Sequence, residues 1–221
     1  MKLVLFSGGD PTDNLELDEK LLQLTEKKRP KMTYIPSSVD EHPSYFAEWR
    51  EYYRSLGIKK FKFFPLKKKL RSSDLKLAFS SDIIYLSGGN TFEFLRDLRH
   101  SGLKPLFRKF VEDGGVLAGI SAGAILMTPS IAMAAIPSSD RDENNVMITN
   151  WNSMKLVNFE FSPHYEKTLK TDRELKLYSK LRSHPIYSCP DGSGLIVRGD
   201  QIQFHGPVYK FYQGRKEEIL P

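Results

Sequence analysis

Gly114 to Pro129 reads GGVLAGISAGAILMTP, and this stretch decides the fold. Val116 to Ala118 is a short apolar run of the kind that forms a buried strand. Gly119-Ile120-Ser121-Ala122-Gly123 is a turn of small residues, and an apolar helical stretch follows. A chain that leaves a buried strand for a helix within a few residues belongs to a sheet covered by helices. The central residue of so sharp a turn takes a strained backbone, and small neighbours permit the close approach. Ser121 then projects above the sheet edge at a helix start, where free N–H groups favour developing negative charge. The pattern is that of a nucleophile elbow, with the Ala122 N–H as an oxyanion donor. The competing reading is a small residue at a strand–helix junction.

Upstream the same alternation repeats. Strands are expected at Lys2 to Phe6, Met32 to Ile35, Phe61 to Phe64 and Asp82 to Leu86. Between and after them, helical periodicity covers Asn14 to Thr25, Pro43 to Leu56, Asp74 to Phe79, Thr91 to His100 and Leu103 to Glu112. Short connections between alternating strands and helices predict an α/β fold with a mostly parallel, doubly wound sheet and helices on both faces. Downstream, Ala132 to Asn152 has no clear period and carries the polar run SSDRDENN. Leu156 to Ser162 reads as a strand and Asp172 to Leu181 as a helix. Short strands close the chain: IYSC, GLIV, QIQFHG and VYKFY. With no internal repeat or linker, residues 1–221 are read as a single domain.

The bulk composition is that of an ordinary globular chain, 40% apolar and 27% charged over 221 residues. No run approaches the roughly 18 apolar residues of a membrane helix, and MKLVLF reads as a first strand and not as a signal peptide. The single cysteine, Cys189, excludes an internal disulfide, and a cytoplasmic protein is expected. The formal charge of +6 raises the question of a nucleic-acid partner, and the densest basic stretch is Lys59 to Arg71, KKFKFFPLKKKLR. No nucleic-acid motif accompanies it, so it reads as a strand followed by a solvated loop. No nucleic-acid or membrane partner is expected, and the chain is expected to be a monomer or homodimer.

A nucleophilic serine needs a base. Of the five histidines, His42 and His100 stand near helix ends in polar surroundings, His184 in a loop and His205 in the C-terminal hairpin region. His164 follows the strand of EFSPHY, and a strand end on the same sheet edge would bring it to Ser121. The turn SGGN after DIIYL is placed for a second oxyanion donor: Gly88 and Gly89 let the backbone approach a substrate oxygen, with the Gly89 N–H pointing at it. The same glycines would also serve a plain tight turn. No metal or other cofactor is expected, because His164 has no ligand partner at metal-binding spacing.

Taken together, SGGNTFEFL (Ser87 to Leu95), AGISAGAI (Ala118 to Ile125) and SPHY (Ser162 to Tyr165) resemble the S51 peptidase family, which includes aspartyl dipeptidase and cyanophycinase. TDREL, CPDGSGLIV and HGPVYKF resemble its later segments, so the likeness spans nearly the whole chain. The resemblance implies a flavodoxin-like fold related to class I glutamine amidotransferases. It also implies a serine-type peptidase of short peptides, with N-terminal Asp dipeptides as the expected substrates. Ser121 matches the nucleophile, His164 the base, and Gly89 and Ala122 the oxyanion donors. The relatives' amidotransferase chemistry uses a cysteine at the elbow, which is absent here.

The third catalytic member departs from the pattern. The family's aspartate position falls on Ala134-Ala135-Ile136-Pro137, which holds no acid. Asp140 is the expected replacement, with Asp142, Glu143 or a bare dyad as alternatives. Its role would be to accept the His164 Nδ1–H. Arg173 in TDREL matches a family arginine and would hold a substrate carboxylate in a two-bond fork, unless it simply faces water. Asn90, Gly88, Glu160 and Tyr165 are further candidates for binding or shaping the pocket. The other readings are an isopeptidase or amidase of another acidic conjugate, and a non-catalytic ligand-binding protein.

Overall fold

The computed structural model describes residues 1–37, 43–66 and 70–219. Two sheets organise them. The larger has seven strands in the order β3-β2-β4-β5-β1-β8-β9. Its parallel part comprises β1 (Lys2–Phe6), β2 (Lys31–Ile35), β3 (Lys60–Phe63), β4 (Ile83–Leu86) and β5 (Val116–Ile120). β8 (Gly194–Arg198) adds antiparallel to β1, and β9 (Gln201–His205) antiparallel to β8.

β1 is buried on both faces, as expected for a strand inside a doubly wound sheet. Leu3 and Leu5 join one core cluster, and Val4 and Phe6 the other. Helices α1 (Pro11–Gln23) and α2 (Pro43–Ser55) pack on the Val4 face through Leu17, Leu21 and Tyr53. Helices α3 (Ser72–Ala78), α4 (Thr91–Ser101) and α5 (Lys104–Glu112) cover the Leu3 face through Ala78, Phe94 and Phe107. α1 therefore leaves β1 toward one face, while α6 (Ala122–Ile125) leaves the neighbouring β5 toward the other. The divergence opens a crevice beyond the carboxyl ends of β1 and β5, where ligands of such sheets bind.

Several boundaries differ from the sequence reading. α1 begins at Pro11 because proline suits the first helical position and Asp13 accepts the Asp10 N–H at 2.9 Å. α7 (Leu169–Ser179) begins three residues early, where the Thr168 side chain accepts the Thr171 N–H. The larger correction concerns the last third. β6 is only Glu160–Ser162, and it does not join the main sheet. It pairs with β7 (Ile186–Ser188) in a second sheet of order β11-β10-β7-β6, completed by β10 (Val208–Tyr212) and an unforeseen β11 (Arg215–Ile219).

Of the basic stretch, Lys60–Phe63 forms the edge strand β3, with Phe61 and Phe63 packed against the core; residues 67–69 lie outside the described residues. Among the described residues, no helix is long and apolar enough to cross a membrane.

Candidate active site

Ser121 has φ 51° and ψ −114°, a conformation that non-glycine residues rarely adopt. The flanking glycines are dictated by contact. A Cβ on Gly119 would stand 2.5 Å from the Gly123 carbonyl carbon, and a Cβ on Gly123 would stand 2.4 Å from the Leu86 carbonyl oxygen. Strand, turn and helix start are thus pressed together so tightly that only glycine fits on either side of the serine. α6 is a single turn, so a helix dipole contributes little here. The relevant feature is the Ala122 N–H. The Ser121 N–H donates to Phe6 O and the Gly123 N–H to Ser87 O, both at 3.1 Å, whereas the Ala122 N–H has no protein acceptor among the described residues. The Gly89 N–H is equally free, and Gly89 has φ 121°. Gly88 lies against the serine, and a Cβ placed on it would stand 3.7 Å from Ser121 Cβ.

His164 reaches Ser121 from the second sheet. Pairing of β6 with β7 continues past the strands: the Cys189 N–H donates to Ser162 O and the Tyr165 N–H to Cys189 O, each at 3.0 Å. The turn between them lifts His164, at φ 51°, toward the main sheet. Ser7, at the end of β1, fixes it there. Its Oγ accepts the His164 N–H at 2.7 Å and donates to Cys189 O at 2.6 Å. His164 Nε2 then stands 2.9 Å from Ser121 Oγ.

The opposite ring nitrogen meets Asp191. Nδ1 of His164 lies 2.7 Å from Asp191 Oδ1, with the imidazole one-third and the carboxylate half exposed. Asp191 sits in the turn after β7, clamped to the end of β1: the Ser7 N–H donates to Ser193 O at 3.0 Å and the Gly192 N–H to Gly8 O at 3.1 Å. Gly8 presses against the pair, since a Cβ there would stand 2.3 Å from His164 Cε1.

Asp140, the expected third member, makes no hydrogen bond to His164. Its carboxyl is partly desolvated, which raises its pKa above the ordinary aspartate value; His164 pulls it down, and Asp142, Asp191 and Glu166 add to the rise. It stands in the field of the pair without touching the ring. Asp142 accepts the Thr91 N–H at 2.8 Å, and Glu143 offers its carbonyl to Asn90 Nδ2 at 2.9 Å. Asn90 itself caps α4 through the Glu93 N–H at 3.1 Å, so its amide is spent on structure.

Arg173 does not reach the site. It is exposed and lines a depression with Asp172, Lys176 and Gly214 that includes neither Ser121 nor His164. Glu160 is fully buried, paired with Arg182 at 2.5 Å and with His184 at 3.2 Å. The Tyr165 hydroxyl donates to Asp172 and accepts from Lys216. Cys189 is buried, which pushes its thiol pKa up, and only its backbone serves the site. His42 lies outside the described residues. Asp191 escaped the sequence reading because CPDGSG reads as a turn; its one signal is that the turn closes a short strand able to pair beside EFS.

The chain is similar to known proteins. The chain is 28% identical over 212 residues to the uncharacterized peptidase YgaJ of Bacillus subtilis, covering 91% of this chain and 86% of that protein. Peptidase E of Streptomyces coelicolor is 25% identical over 188 residues, 80% of this chain and 71% of that one. Among solved structures, a Listeria monocytogenes protein assigned provisionally to peptidase E superposes with a TM-score of 0.72 at 25% identity, over 92% of this chain and 96% of that one. A peptidase from an acI-B1 actinobacterium shares the fold, with a TM-score of 0.68 at 22% identity over 99% and 93% of the two chains. The model of peptidase family S51 matches residues 3–205, and the chain belongs to that family of peptidases.

Proposed function

We propose that the protein is a serine-type peptidase of short peptides in which Ser121 is the nucleophile, His164 the general base and Asp191 the group that positions the imidazole. The observation that carries this reading is the file of contacts Ser121 Oγ, His164 Nε2, His164 Nδ1 and Asp191 Oδ1, at 2.9 and 2.7 Å, behind a strained elbow. Asp191 accepts the Nδ1–H and so leaves Nε2 free to take the serine proton. As Oγ bonds to the scissile carbonyl carbon, the proton passes to Nε2 and the carbonyl oxygen becomes an oxyanion. The unpaired Ala122 and Gly89 N–H groups are placed to stabilise that charge. Collapse expels the amine, which takes the proton back from Nε2 and leaves an acyl-serine. Water activated by the same nitrogen then releases the acid. The reading includes a cytoplasmic enzyme.

The finer expectation, dipeptides beginning with Asp, requires a cation facing the substrate carboxylate. Arg173 lies elsewhere, so placement lends that preference no support. The carboxylate of Asp191 against His164 Nδ1 favours this reading over a non-catalytic ligand-binding protein. The test is hydrolysis of Asp-Leu, Ala-Leu, Lys-Leu and Glu-Leu by wild type and Ser121→Ala side by side. Turnover of any of them that disappears in Ser121→Ala supports the proposal. Turnover that survives the substitution, or its absence throughout, overturns it.

A further inference from the structure

A cavity of about 430 Å3 opens beside Ser121, between α1, α2 and the carboxyl ends of β1, β2 and β4. Gly88, Gly89 and Ile120 form its border with the elbow, so the cavity adjoins the turn that carries Ser121. Its walls are aromatic. Trp49 packs against Tyr53 with ring centroids 4.8 Å apart and against Tyr85 at 5.4 Å, and Tyr34, Tyr45 and Tyr52 also line the space.

The polar groups on these walls are mostly acceptors. Asn14 is buried, and its Nδ2 is occupied by the carbonyls of Gly8 and Asp10 at 3.1 and 3.2 Å. Its Oδ1 has no partner. A buried acceptor left without a hydrogen bond is costly, and it keeps this wall electronegative. Asp18 is also buried. Its two oxygens accept the hydroxyls of Tyr53 and Tyr52, the latter at 2.8 Å, and each retains a further lone pair. Glu48 stands exposed at the rim. Trp49 Nε1 is buried and unpaired. Among the described residues, no Lys or Arg lines the cavity, although the chain as a whole carries a charge of +6.

Aromatic faces combined with carboxylates recognise organic cations: the rings attract the charge and cover the aliphatic stem, while the carboxylates neutralise the head. We infer that the cavity is a specificity subsite for a basic residue, Lys or Arg, on one side of the scissile bond; the inference rests on the serine-peptidase reading above. The preference is the reverse of the acidic one expected from Arg173. Burial holds Asp18 at a pKa of about 6, so its carboxylate is charged at neutral pH even though the fold disfavours it.

Binding to Ser121→Ala, measured by titration calorimetry at pH 7.5, decides the point without requiring turnover. The ligands are Lys-Leu, norleucine-Leu and Asp-Leu with their reversed sequences; norleucine is lysine without its ammonium. Lys is expected to bind at least about tenfold more tightly than norleucine at one of the two positions, and Asp more weakly than either. In the same background Glu48→Gln, at the exposed rim, is expected to reduce the Lys-to-norleucine ratio, and Asp18→Asn to bring it close to one. Equal or tighter binding of norleucine or Asp at both positions overturns the subsite. No turnover by the wild type, or turnover that survives in Ser121→Ala, with the Lys preference intact overturns the peptidase reading and leaves the subsite standing.

Discussion

Asp191 meets His164 at 2.7 Å across 27 residues of chain, and the two come from different strand ends of the second sheet. The contact exists because the turn after β7 is clamped to the end of β1, the strand beside the one that carries Ser121. Ser121 is thus supplied by one sheet and His164 and Asp191 by the other. The crevice between β1 and β5 is where they converge.

Asp191→Asn should lower kcat/KM by two to four orders of magnitude with little change in folding. The amide can present its N–H to Nδ1 and favour the wrong tautomer, an effect worth about 10⁴ in a comparable triad. Asp140→Asn, which removes a charge near the ring but no hydrogen bond, should change kcat/KM by less than about fivefold, within the range of a neighbouring exposed charge. Steady-state kinetics of the two variants side by side would expose an exchange of roles.

Gly8→Ala tests the packing of the same pair. A Cβ at 2.3 Å from His164 Cε1 and 2.4 Å from Asp191 Oδ1 forces one of them to move. Activity should fall at least about tenfold, as expected for a displacement of order 1 Å at a catalytic group. The far-ultraviolet circular dichroism should be unchanged. Wild-type activity in the alanine variant would mean that the ring and carboxylate have room to spare.

Ser7→Ala removes the acceptor of the partly buried His164 N–H. An unmade buried hydrogen bond costs about 1–3 kcal/mol, so the urea midpoint should drop while activity falls as well. An unchanged midpoint would show that Ser7 does not hold the loop.

Asp18 links stability to pH. Its folded pKa of about 6 lies above the ordinary aspartate value of 3.8 because burial outweighs the Tyr53 and Tyr52 hydrogen bonds. The folded protein therefore binds the extra proton, and the stability contributed by protonated Asp18 is complete below about pH 4 and is lost as pH rises through 6. The loss is about 3 kcal/mol. Relative to wild type, Asp18→Asn should gain about that much in denaturant unfolding between pH 4 and pH 7.5. A difference independent of pH would contradict the raised pKa.

How much was legible follows the range of the contacts. Ser121 and its glycines were readable because strand, turn and helix are adjacent in sequence and the steric demand is local. His164 is legible as a strand-end histidine, but EFSPHY alone points to the main sheet, whereas β6 belongs to the second. β6 and β7 are three residues each, and nothing in so short a run says which sheet takes it. Arg173 was legible in hindsight from helical phase. Thr171, Leu175 and Ser179 form the buried face of α7, and a residue two positions from both Thr171 and Leu175 points away from it. Asp140 and Asp191 could not be separated by sequence, since both sit in polar turns; tertiary contact alone chooses between them.

The central claim is that His164 activates Ser121. A fluorophosphonate probe followed by peptide mass mapping tests it most directly. One adduct on Ser121, absent in Ser121→Ala and formed at least about a hundredfold more slowly in His164→Ala, is the predicted result, in the range of general-base catalysis. Labelling at another residue, or labelling of Ser121 at an undiminished rate without His164, would contradict it.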